Sequence, residues 1–164
     1  MTLQSDTDDR AVRQFQGEDR CYSNMFAAPV AWGDGVTPVR LWPLSELPYV
    51  LAKILSAALR AEGIAVYRKA ELATPGAGGG AIKHWGSALA LRPDWESVKD
   101  AVMLALARDK FARNAELKAK LLATGSGLIE EGNSWGDLYW GIALEDKPHL
   151  GIKAGQGQNR LGKI

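Results

Sequence analysis

The sequence is short of most things that would announce a site. Cys21 is the single cysteine among 164 residues, so no internal disulfide can form and a bridge-stabilised secreted scaffold is excluded. Only two histidines occur, His84 and His149, far apart from each other and from Cys21. Zinc takes paired His/Cys ligands at short spacing, so no protein-held metal is expected. Charge of one sign is also missing: 20 Lys+Arg stand against 19 Asp+Glu, a net +1. That excludes the global cationic field of a duplex-binding protein, although a local basic patch can hide inside a neutral total. No apolar run approaches a membrane span, and the Met1–Asp9 opening has no basic flank or apolar stretch. The expectation is a cytoplasmic protein without membrane partners. No internal repeat is present, so a solenoid is excluded.

What is present is an ordinary globular composition, 46% hydrophobic and 24% charged, at a length that suits one domain. Residues 1–14 show no sustained apolar period and read as a flexible arm, leaving 15–164 as the domain. Six tryptophans, at 32, 42, 85, 95, 135 and 140, are many, and several sit beside Gly, Pro or Asp where elements start or stop. Val30-Ala31-Trp32 before Gly33-Asp34-Gly35 predicts a small hairpin. Ser45 reads as the N-cap of a helix running to about Ala61, with Glu62-Gly63 as its stop. Residues 74–80, Thr-Pro-Gly-Ala-Gly-Gly-Gly, read as a flexible connector or lid. Pro93-Asp94 opens a long amphipathic helix through Val98, Val102, Leu106 and Phe111, and Asn114 begins another that ends at Thr124-Gly125. Beyond Gly125 the chain is Gly- and Trp-rich with little periodicity. The fold class predicted is α+β, a single mainly helical domain with a small antiparallel sheet.

Two nucleotide motifs fail on inspection. Gly157 to Lys163 matches a phosphate loop in outline, but Ile164 replaces the hydroxyl residue and no helix follows. The Gly76–Gly80 cluster lacks the spacing of a dinucleotide fingerprint. Glu46 and Lys53 carry more. Seven residues are almost two helical turns, so both side chains lie on one face and can share a pocket, or form an ordinary solvated pair. Trp42-Pro43-Leu44-Ser45-Glu46 puts an aromatic platform and a helix start beside them.

The order of these blocks resembles the NADAR (YbiA-like) family, whose members include riboflavin-biosynthesis-intermediate N-glycosidases and hydrolases that remove ADP-ribose from guanine. The resemblance runs over roughly residues 15–163. It is carried by Phe15-x-Gly17-Glu18, Tyr22-Ser23-Asn24-x-Phe26, Trp42-Pro43-x-Ser45-Glu46 with Lys53, and Arg92-Pro93-Asp94-Trp95-Glu96. Leu121-Leu122-x-Thr124-Gly125, Glu131-Gly132-Asn133-x-Trp135-Gly136-Asp137-x-x-Trp140-Gly141 and Gly157-x-Asn159-x-Leu161-Gly162 follow in order. It implies hydrolysis of an N-ribosidic bond in an ADP-ribosylated nucleobase or a ribosylaminopyrimidine phosphate. Lys53 is then the nucleophile, forming a Schiff base with the ring-opened sugar.

Positive charge builds at the anomeric carbon in such a reaction, so carboxylates must face it. Glu46, Glu131 and Glu18 are the candidates, with Glu130 the rival of Glu131 by register. Trp42, Trp135 and Trp140 can stack a planar base. Asn24, Asn133, Asp137 and Asn159 suit ribose hydroxyls and phosphate-side contacts, or equally the capping of turns. Trp95 and Phe111 read as core. No cofactor is implied. The partner expected is an ADP-ribose-like small molecule or nucleotide, or an ADP-ribosylated nucleic acid, with the oligomeric state open. Two departures bear on activity: Leu47 stands where the family carries histidine, and Ser87 where a basic residue is expected. They motivate an alternative, a catalytically impaired module that binds ADP-ribose.

Overall fold

The computed structural model describes residues 10–164; Met1–Asp9, most of the expected arm, lie outside them. The described end of that arm is tied down. Val12 is fully buried and bridges Ile129, its N–H donating to the Leu128 carbonyl at 2.7 Å. Where the sequence reads as one domain over 15–164, backbone contacts divide the chain into two compact units. The chain up to Ser23 with Ala115–Ile164 makes one, and Asn24–Asn114 makes the other.

Within Asn24–Asn114, β1 (Val30–Trp32) and β2 (Arg40–Trp42) form the predicted antiparallel hairpin, with Val30 opposite Trp42. Asp34 closes the connection by accepting the Val36 and Thr37 N–H groups, both at 2.9 Å. Arg60, 2% exposed, locks it from the side. Its guanidinium donates to both Asp34 oxygens, to Thr37 Oγ1 and to the Ile54 carbonyl. Burial pushes the Asp34 carboxyl up, yet Arg60 and the two amides hold it at about 2.

The single helix expected from Ser45 to Ala61 is two. α1 (Glu46–Ala52) stops at Lys53, and α2 (Ala57–Ala73) starts afresh with the Ser56 hydroxyl accepting the Leu59 N–H. Ser45 holds the expected N-cap position of α1, but its backbone is helical and its buried hydroxyl makes no capping hydrogen bond. Gly63 does not stop α2 but sits inside it, where a Cβ would fall 2.5 Å from the Trp85 ring. The 74–80 connector is likewise shorter than its composition suggests, because Gly78 already begins α3 (Gly78–Ser87). Close packing explains those glycines: a Cβ at Gly78 would meet the Tyr67 ring at 2.6 Å, and one at Gly79 would meet Met25 Sδ at 2.9 Å. α4 (Trp95–Arg113) forms where expected and buries Trp95, Met103, Leu106 and Lys110, while Val98, Val102 and Phe111 are only partly covered.

In the other unit a 3-10 turn (Gly17–Tyr22) precedes α5 (Ala115–Leu122), to which Tyr22 Oη hydrogen-bonds at Lys120. β3 (Gly132–Asn133) and β4 (Ile142–Ala143) pair in parallel, and α6 (Arg160–Lys163) ends the chain. The fold is thus α+β, mainly helical, with a small antiparallel sheet. Gly157, at φ 145°, lets the backbone cross Gly141, whose carbonyl oxygen a Cβ would meet at 2.1 Å. No helix among the described residues is long and apolar enough to cross a membrane.

Candidate active site

α1 is buried from end to end, so its one acidic side chain is carried inward. Glu46 is 7% exposed and its N–H is held by the Asn24 carbonyl at 3.1 Å. Burial raises its carboxyl above the ordinary range, against the pull of the Lys83 and Lys53 ammonium groups. Lys53 stands where α1 ends. Its pKa is lowered, first by burial and then by the neighbouring Lys83 charge, while Glu46 opposes the fall. Its Nζ lies 4.9 Å from the Tyr49 ring centre and 5.8 Å from that of Trp95. The two rings meet edge to face at 5.3 Å, forming an aromatic wall for the amine.

The Arg92-Pro93-Asp94-Trp95 block is what holds this end of α1. The Arg92 N–H donates to the Lys53 carbonyl at 2.8 Å, its guanidinium reaches the Ala52 carbonyl, and a two-pronged pair to Asp94 fixes that guanidinium. Trp95 is therefore core, as expected, and also a wall of the site. Tyr49, four residues before Lys53 on the same helical face, was detectable by spacing. Lys83 was not, because α3 was obscured by its glycines.

The other expected residues of this unit have structural employment. Asn24 Nδ2 donates to Met103 Sδ at 3.1 Å. Trp42 is 3% exposed, its Nε1 donates to the Trp32 carbonyl, and the Arg40 guanidinium covers its ring at 4.0 Å. Leu47 is buried, and the Ser87 hydroxyl is spent on the His84 carbonyl.

The remaining candidates belong to the second unit. Glu18 is exposed and pairs with Arg10 at 2.7 Å. Glu130, the register rival, is taken by Arg13 at 2.6 Å, whereas Glu131 has its Oε2 shielded from solvent. Its N–H donates to Asn159 Oδ1, and Asn159 Nδ2 donates to Ile129. Asn159 adopts φ 49° to do so. Asn133 is 1% exposed and is the hub of the loop. It accepts the Gly136 and Asp137 N–H groups and donates to the Asp137 and Ile142 carbonyls. Asp137 in turn accepts the Tyr139 and Trp140 N–H groups. These polar residues shape a loop that presents Trp135, 55% exposed, and Trp140, edge-on to Tyr139 at 5.0 Å. No group of three or more metal-ligating side chains occurs among the described residues.

Chemically, α1 and its end combine an amine whose pKa burial lowers with a carboxyl whose pKa burial raises, groups of the kinds that can act as nucleophile and proton carrier. The sequence profile of the NADAR domain matches residues 12–164. N-glycosidase YbiA of Escherichia coli (strain K12) is 36% identical over 143 residues, covering 87% of this chain and 75% of that protein. The chloroplastic riboflavin biosynthesis protein PYRR of Arabidopsis thaliana is 39% identical over 75 residues, 45% of this chain and 11% of that protein. The NMR structure of E. coli YbiA superposes with a TM-score of 0.67 at 31% identity, covering 94% of this chain and 80% of that one.

Proposed function

The chain belongs to the NADAR family, and from that premise we propose that it hydrolyses an N-ribosidic bond, using Lys53 as nucleophile and Glu46 as proton carrier. The substrate is an ADP-ribosylated nucleobase or a ribosylaminopyrimidine phosphate. The observation that carries this reading is the half-buried Lys53 amine, walled by Tyr49 and Trp95 and set on one helix with the buried Glu46.

In this mechanism the sugar ring opens and the neutral Lys53 amine adds at C1. The nitrogen of the base leaves with a proton delivered by a carboxyl group, so the C1–N bond to the base is exchanged for an imine to Nζ. Water then adds to that imine, returning the amine and releasing the sugar with oxygen at C1. Glu46 handles the protons.

Hydrolysis measured side by side on an ADP-ribosylated oligonucleotide and on a ribosylaminopyrimidine phosphate tests the activity. Release of ADP-ribose from the first or of ribose phosphate from the second is the expected result. The buried Leu47 beside Glu46 favours a second reading, a module that binds ADP-ribose without turning it over. Calorimetric binding of ADP-ribose with no release from either substrate is its outcome and overturns the first.

A further inference from the structure

Lys83 has no distinguishing sequence context, but its place on α3 singles it out. α3 lies against α1 through a stripe of glycines. A Cβ at Gly79 would come to 3.6 Å from Leu44 Cδ2, and one at Gly86 to 2.4 Å from Val50 Cγ1. Lys83 is four residues after Gly79 and three before Gly86, beside the fully buried Ile82 and itself exposed at the edge of that packed face. Leu44 lies two residues before Glu46, just ahead of α1, and Val50 one turn beyond it. The contact at each end therefore brings Lys83 level with the Glu46 end of α1. The field on the Glu46 carboxylate agrees: after burial, Lys83 is the leading influence, ahead of Lys53.

We propose that Lys83 is a positioning residue of this site, sharing the Glu46 carboxylate with Lys53 and so governing how readily Lys53 gives up its proton. A lysine beside a second cation releases its proton more easily. A carboxylate drawn toward Lys83 also stabilises the Lys53 ammonium less. The charged groups acting on this amine are Glu46 from α1 and Lys83 from α3, while Tyr49 and the Trp95 end of α4 bring rings. The inference rests on the proposed function only in taking Lys53 as the working amine.

The test needs no substrate. The free protein is treated across a pH series with limiting formaldehyde and cyanoborohydride. Formaldehyde condenses with a neutral amine, water leaves, and hydride from the cyanoborohydride reduces the imine. Mass spectrometry of the Lys53 peptide then gives the pH midpoint of methylation. In Lys83→Met and Lys83→Gln the midpoint moves to higher pH, and methylation at neutral pH slows about threefold to tenfold, tenfold corresponding to one unit. Lys83→Arg keeps the wild-type midpoint. An unmoved midpoint in both neutral variants, with circular dichroism unchanged, overturns the proposal. If neither ribosyl substrate is cleaved but the midpoint moves, the hydrolase reading falls and the role of Lys83 stands. If substrate is cleaved and the midpoint is unmoved, the reverse holds.

Discussion

Burial moves Glu46 of α1 and Lys53 at its end in opposite directions, Glu46 up and Lys53 down, and in both cases toward the uncharged form. For Glu46, whose folded pKa is raised, the stabilising contribution is complete below the unfolded value and is lost as pH rises through the folded one. For Lys53, whose folded pKa is lowered, the contribution is complete above the unfolded value and is lost as pH falls through the folded one. Between those two limits burying both groups thus costs stability, as burial of ionisable side chains without a close partner does. Replacing both at once, Glu46→Gln with Lys53→Met, is expected to raise stability by about 1 kcal/mol or more, seen as a rise in Tm of about 2–4 °C per kcal/mol, with turnover gone. A fall in Tm would show that the pair holds the fold together. Spacing set Glu46 and Lys53 on one helix face but fitted a solvated pair as well, and it was the adjoining Trp42-Pro43-Leu44-Ser45 run that pointed to a site. The employment of Asn133, Asp137 and Asn159 was not legible, because an asparagine that closes a turn and one that binds a ribose look alike in sequence.

Glycine shows most plainly where elements exceeded what their composition suggested. Gly63, Gly78 and Gly79 read as a stop and a loop because glycine weakens an isolated helix by about 1 kcal/mol. In the fold they are where Trp85, Tyr67 and Met25 press against the backbone, so packing overrides propensity. The sign of a usual stabilising change therefore inverts. Gly86→Ala gains helix propensity but drives a methyl into Val50, 2.4 Å from its Cγ1, and is expected to lose about 1–3 kcal/mol by urea unfolding. Adding Val50→Ala should recover part of that loss, and strict additivity of the two changes would contradict the packing account. The break between α1 and α2 has a similar origin. Apolar residues continue through Ile54 and Leu55 without interruption, and nothing local announces that Lys53 must end a helix. What ends it is the Arg92 amide on the Lys53 carbonyl and the fresh cap at Ser56. Periodicity did identify the span of α4, and a turn signal after Val30-Ala31-Trp32 identified the hairpin.

For the molecule as a whole, near-neutral charge speaks against gripping long duplex DNA through its phosphates but not against holding one modified nucleotide. The family match spans residues 12–164, and the resemblance was readable because its blocks fall in the right order. Lys83 escaped notice because only packing brings α3 to α1. The account depends on Lys53 reacting as an amine. Incubation with ADP-ribose and borohydride, followed by mass spectrometry, tests that most directly. The account predicts an adduct of ADP-ribose joined through its terminal ribose to Lys53, lost in Lys53→Ala together with turnover. No adduct on Lys53, with turnover intact in Lys53→Ala, would contradict it.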